Sequence, residues 1–164
     1  MSIARTVMAC VSMCLVLVLA APPAALSADD PGLKGWEKSG PYNKLYKMSE
    51  YESFKATVKE IIDVTPLAGM APGVGLLVTT DDGEKLTCHL GPKSFVRALK
   101  FRPGDKVRIR GSFAQVGGQE VLMVSKIKSR TDESLSMKFR LTKDGTPLWT
   151  LSADELAQEQ ADVD

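Results

Sequence analysis

Lys106, Arg108 and Arg110 alternate with Val107 and Ile109, and this run is the densest patch of chemistry in the chain. Successive side chains on a strand point to opposite faces, so the three cations share one face and the two aliphatics the other. Cations about 6–7 Å apart along a strand could contact successive phosphates, sulfates or carboxylates. They could equally face solvent and protect a sheet edge from aggregation. An earlier segment adds Lys85 and the pair Cys88-His89. With Leu86 and Leu90 in phase with Cys88, the thiol is the expected core residue and His89 the expected exposed one. Lys106, Arg108, Arg110, Lys85 and His89 are therefore the expected binding residues, for a small anionic ligand or an acidic protein partner.

The same residues argue against an active site. Cys88 and His89 are adjacent, so on a strand they cannot reach each other as nucleophile and base, nor ligate one metal without distortion. His89 is the one histidine of the chain, and no nucleophile motif accompanies it. Met48, Met70, Met123 and Met137 show no clustered spacing and read as core filler. No CxxCH is present, which excludes covalent haem attachment by that motif. The expectation is no catalytic residue, no metal and no cofactor.

Arg5, the apolar run Val7–Ala21, Pro22-Pro23 and the small residues Ala24–Ala28 make residues 1–28 an expected signal peptide. The run is about 15 residues, short of the ~20 that span a hydrocarbon core, so the expected location is periplasmic or secreted, with no membrane span after cleavage. Removal of residues 1–28 from the 164 leaves 136, and takes away Cys10 and Cys14, so Cys88 has no intramolecular disulfide partner. It also takes Arg5 from the 21 basic and 20 acidic residues, leaving them balanced. Zero net charge gives no global argument for nucleic acid, so distribution matters more. Eight basic residues and one acidic one lie between Lys85 and Arg110, whereas Ser152–Asp164 carries five acidic and no basic residues.

The elements that position these residues can be read from period and punctuation. Residues 29–52, with Pro31, Gly32, Gly35, Gly40 and Pro41, form an expected irregular arm whose Trp36 and Tyr42 pack on the domain. Ser53–Thr65 alternates as a first strand with a phase break at Ile61-Ile62, the mark of a bulge. Val74–Thr80 and Glu84–Leu90 read as a hairpin about Asp81-Asp82-Gly83. Lys93–Phe101 has Phe95, Val96 and Leu99 on one face of a two-turn helix. Lys106–Val116 and Gln119–Lys128 form a hairpin about Gly117-Gly118, with Val121, Met123, Ser125 and Ile127 on one face of the last strand and Leu122, Val124 and Lys126 on the other. Residues 130–151 read as an appended hairpin, Leu135–Leu141 against Thr146–Leu151. Residues 152–164 are an acidic tail opened by a capping box, Ser152 with Glu155.

Phe54–Val58, Pro103–Gly111 ("PGDKVRIRG") and Glu120–Ile127 ("EVLMVSKI"), set in the order strand–strand–strand–helix–strand–strand, resemble small secreted bacterial OB-fold proteins. These include the periplasmic OB-fold family linked to stress responses and OB-fold accessory proteins of periplasmic redox systems. The resemblance covers residues 53–129. It implies a mostly β chain: a five-stranded Greek-key barrel with a short helix between strands three and four, plus the appended hairpin. It also implies a binding module rather than an enzyme, or alternatively an accessory factor of a bacterial envelope redox complex. Oligonucleotide binding is a further alternative, weakened because strands two to five offer only Phe113 as a stacking platform.

Overall fold

The computed structural model describes residues 30–161; the expected signal peptide lies outside them. Six strands form one sheet: β1 (Tyr51–Val64), β2 (Gly73–Thr80), β3 (Lys85–Pro92), β4 (Lys106–Val116), β5 (Gln119–Ser129) and β6 (Ser136–Lys138). They lie in the order β3-β2-β1-β4-β5-β6, each neighbour antiparallel. A short parallel pairing, Cys88 with Leu122 and His89 with Met123, joins β3 back to β5 and closes the sheet into a ring. β1 serves both sides of that ring, pairing β4 through Tyr51–Thr57 and β2 through Ala56–Val64. Its bulge lies between Val58 and Glu60, just ahead of the expected break at Ile61-Ile62. Ala56, Val58, Leu76, Val78, Cys88, Leu90, Val107, Ile109 and Ile127 are all buried, and removal of this apolar surface from water drives the ring together.

A second bulge decides which residues of β5 face outward. Gly111 pairs with Val124 and Arg110 with Lys126, so Ser125 is an extra residue in β5. The phase of the strand flips there. Val124 and Ile127 therefore both oppose inward positions of β4, while Lys126 and Lys128 oppose Arg110 and Arg108. The simple alternation expected for this strand is overturned. Ser125 is buried, and its Oγ donates to the Arg110 carbonyl at 3.1 Å, while its own carbonyl accepts from Phe139 N at 2.7 Å and Arg140 N at 3.2 Å. Only glycine fits at position 111, because a Cβ there would strike the Met123 carbonyl.

The expected helix over Lys93–Phe101 does not form. Phe95 N and Val96 N both donate to the Pro92 carbonyl at 3.0 Å, which makes one turn, and the chain then runs irregularly to β4. A helix this short gains little from its own hydrogen bonds, and its apolar residues are claimed separately. Phe95 packs on Trp149 with centroids 5.7 Å apart, Val96 and Phe101 are buried, and Ser94 Oγ donates to the Gly32 carbonyl. The expected appended hairpin forms in part. The chain doubles back about Gly145, with Leu141 N donating to Thr146 O and Leu148 N to Phe139 O. Its first limb, β6, pairs with β5, and its second becomes a 3-10 turn, Leu148–Thr150. The capping box is present: Glu155 N donates to Ser152 Oγ at 3.3 Å and Ser152 N to Glu155 Oε2 at 2.9 Å, opening helix α1 (Ala153–Ala161).

The N-terminal arm is packed down, as its aromatics suggested. Trp36 and Tyr42 are buried, and Trp36 Nε1 donates to the Ala71 carbonyl at 2.8 Å. Trp36 lies against Gly73, where any side chain would collide with the indole. The other end of the chain locks this arm. Trp149 Nε1 donates to the Trp36 carbonyl at 2.8 Å, and Arg140 Nη2 to Asn43 Oδ1 at 2.7 Å. Arg140 is buried with its guanidinium carbon 5.1 Å from the Tyr46 ring centroid and 5.0 Å from that of Trp149. Burial lowers its pKa, but an arginine stays cationic. Two ring faces and the oxygens of Asn43 and Gly145 take the place of water around it.

His89 is not exposed beside the basic strand: it is buried on the opposite side of β3 from Cys88. The arm covers that side, and Tyr42 Oη lies 3.2 Å from His89 Nδ1. Both members of the pair are thus withdrawn from solvent, Cys88 by the core and His89 by the arm. Burial pushes the thiol up to about 12 and the imidazole down to about 4.

Two outcomes follow from this packing. Arg140→Ala removes two stacked contacts and strands Asn43 Oδ1, so urea unfolding should show a loss of about 2–4 kcal/mol. A cost below about 1 kcal/mol would mean the guanidinium does not hold the arm. The second outcome concerns acid. His89 binds its proton at about pH 6.5 when unfolded but only near 4 when folded, so the unfolded state gains protons first. Stability should fall as pH drops from about 6.5 to about 4, by roughly 3 kcal/mol in all. The difference between wild type and His89→Gln, followed by thermal melts across that window, should reproduce this loss; parallel pH curves would sink the assignment.

Candidate functional site

Lys106, Arg108 and Arg110 are exposed on β4, with Val107 and Ile109 buried between them. Strand register extends this stripe sideways into a platform. Lys55 on β1 is paired with Arg108, and Arg108 in turn with Lys128 on β5. In the next row Arg110 is paired with Lys126, and Lys126 with Lys138 on β6. Seven cations (Lys55, Lys106, Arg108, Arg110, Lys126, Lys128 and Lys138) thus share one face of four strands. Their strand partners also include Ser53, Thr57 and Ser136, and two carboxylates reach the margins of the face: Glu159 on Lys138, and Asp81, which follows β2 beside Lys55 and pairs with Arg130 at 2.9 Å. Neighbouring positions are about 4.8 Å apart across strands and about 6.7 Å apart along them.

Such a face works against folding. Like charges directly opposite each other on adjacent strands repel, and Lys55/Arg108, Arg108/Lys128, Arg110/Lys126 and Lys126/Lys138 are four such pairs. The strain shows at Lys126, whose pKa is lowered first by partial burial and then by Lys138, Arg110 and Lys128. Phosphate, sulfate or carboxylate groups laid on this grid would relieve the repulsion while accepting charge-assisted hydrogen bonds from lysine and arginine. The cations lie on the outer face of a closed ring and are spread over four strands, so they suit an extended anion rather than a small enclosed one.

The other two expected residues stand apart. Lys85 is exposed on β3 in the row Lys85–Thr79–Thr57–Lys106, three strands and about 14 Å from Lys106. It borders a shallow groove of about 390 Å³ shared with Lys59, Leu77, Leu86 and Thr87. His89 is buried under the arm and contributes nothing to the cationic face. Lys55, Lys126, Lys128 and Lys138 were missed by sequence reading. The lysines themselves were visible, but the Ser125 bulge that turns Lys126 and Lys128 onto the arginine face leaves no mark in the unbroken apolar run Val121–Val124. Lys138 needed the β5–β6 pairing.

No aromatic side chain occupies the platform rows. Phe113, the one stacking platform expected, is paired with Phe54 at a centroid distance of 6.2 Å. Among the described residues no three His, Cys, Asp or Glu side chains gather as a metal site, and no helix is long and apolar enough to cross a membrane.

The family model of the MamS/MamX magnetosome protein family matches residues 50–133, just over half of the chain. The matched span contains β1 to β5 and six of the seven platform cations. No curated protein and no solved structure matches the chain.

Proposed function

The chain belongs to the MamS/MamX magnetosome protein family, and on that premise we propose that it is a non-enzymatic, exported binding module whose cationic sheet face engages an extended anionic ligand or an acidic partner protein. The observation that carries this reading is the in-register block of cations spread over β1, β4, β5 and β6, in which four strand-paired positions set like charges side by side. A cation stripe that only protected an edge would need one strand; this one runs across the middle of the sheet, where its four like-charge pairs cost stability. The ring itself reads as an OB-fold barrel: β1 is long and bulged, β3 meets β5 in parallel, and the circuit β1-β2-β3-β5-β4-β1 has the Greek-key order of that fold. An enzyme is disfavoured because the Cys88 thiol and His89 imidazole sit on opposite sides of β3, one held protonated and the other neutral at pH 7.

The absence of aromatics from the platform rows favours a carboxylate, phosphate or sulfate chain over bases that must stack. The alternative, an accessory factor of a bacterial envelope redox complex, would draw on the arm and the hairpin. Trp36, Tyr42 and Trp149 of those segments are already committed to packing, which leaves Met48, 44 % exposed, as the large apolar side chain the arm could offer a partner.

Poly-glutamate titrated into the full chain at low ionic strength should bind, and its affinity should fall steeply between about 50 and 300 mM salt as the Debye length shortens. Arg108→Ala with Arg110→Ala should abolish binding while urea unfolding shows stability kept or raised, because three like-charge pairs are relieved. Unchanged affinity in the double variant, or binding indifferent to salt, would overturn the reading.

A further inference from the structure

We propose that α1 is a tethered competitor for the cationic face, held on its β6 end by Glu159 and displaced when an anionic ligand binds. This rests on the anion-binding reading above. Glu159 Oε2 lies 2.6 Å from Lys138 Nζ, and the two side chains are 26 % and 16 % exposed. The other two ion pairs among the described residues, Lys93–Asp63 and Arg130–Asp81, are both more exposed. Lys138 is the outermost cation of the row Arg110–Lys126–Lys138. The chain's own carboxylate therefore already sits where the proposed ligand's would.

The helix is built to let go. Between Ala153 and Glu159 only Leu156 and Glu159 are even half-buried, and the remaining side chains are exposed. Its start is fixed locally by the Ser152–Glu155 capping box, which needs no contact with the sheet. Its end is the weak point. A carboxylate near a helix C-terminus opposes the helix dipole, and α1 has no basic residue in its last turn. Glu159 is thus unfavourable within its own helix and is compensated from outside, by Lys138. Nine residues alone make a marginal helix in water, so loss of that one pair loosens both the docking and the helix end. The sequence continues the acidic character with Asp162 and Asp164.

The test uses the full chain and poly-glutamate, with tripolyphosphate as a second probe, both read by calorimetry at low salt. Glu159→Gln should raise affinity for either probe about three- to tenfold. The gain should disappear in a Lys138→Gln background, because the cation that Glu159 occupies is then gone. Hydrogen exchange gives an independent readout: α1 amides should exchange faster in the wild type when probe is saturating. If Glu159→Gln leaves affinity unchanged while Arg108→Ala with Arg110→Ala abolishes it, the face binds anions and α1 is no competitor. Lower affinity in Glu159→Gln also overturns the proposal. If neither wild type nor Glu159→Gln binds either probe, the anion-binding reading falls and takes this inference with it.

Discussion

One extra residue in β5 organises most of this molecule. A sheet strand has a strict two-residue period, so every side chain after an insertion changes face. Ser125 is that insertion. Before it, β5 feeds the ring core with Leu122 and Val124; after it, Ile127 continues the core while Lys126 and Lys128 join the arginines of β4. The unpaired carbonyl that a bulge leaves behind is also put to use. It accepts from both Phe139 N and Arg140 N, which sets the path of the chain after β6 and delivers Arg140 to its place between Tyr46 and Trp149. The cationic face and the closure of the arm share this one irregularity.

Polar costs are met differently on the two sides of the sheet. On the side covered by the arm, a buried guanidinium with no carboxylate is surrounded by π faces and carbonyl oxygens, an environment that binds a cation without a counter-charge. That arrangement joins Asn43 and Tyr46 of the arm to Gly145 and Trp149 of the later chain, leaving Arg140 Nε without a partner, so it specifies where the arm lies. On the open side, seven cations crowd one another, with Lys138 answered by Glu159. Water and salt screen them, which is why the fold tolerates the block, and also why an anion has something to gain there.

What could be read in advance divides along the same line. Alternation placed β1 to β5 to within a residue or two, put Val107 and Ile109 inside and Lys106, Arg108 and Arg110 outside, and the Ser152–Glu155 spacing marked the start of α1. These are local signals. The Lys93–Phe101 segment misled because helical spacing of Phe95, Val96 and Leu99 is also what three unrelated anchors produce by chance; Phe95 belongs to Trp149, more than 50 residues away. His89 misled because its strand looked half-exposed until the arm was laid on it. The breadth of the cationic face was hidden in strand register, and register shifted at a residue that no hydrophobic pattern distinguishes.

The clasp between the chain ends also bears on how the protein acquires its fold. Asn43 meets Arg140 across 97 positions and Trp36 meets Trp149 across 113. Contacts of such sequence separation must close large loops and form slowly. A chain emerging in order from its N-terminus makes its arm first and can seat it last, once Trp149 has arrived. Through that interval the indole of Trp36, the phenol of Tyr42 and the outer side of β3 with His89 are all uncovered. Any form in which the clasp is open therefore presents an aromatic flank, and that form, rather than the finished ring, is what a chaperone or a protease would recognise.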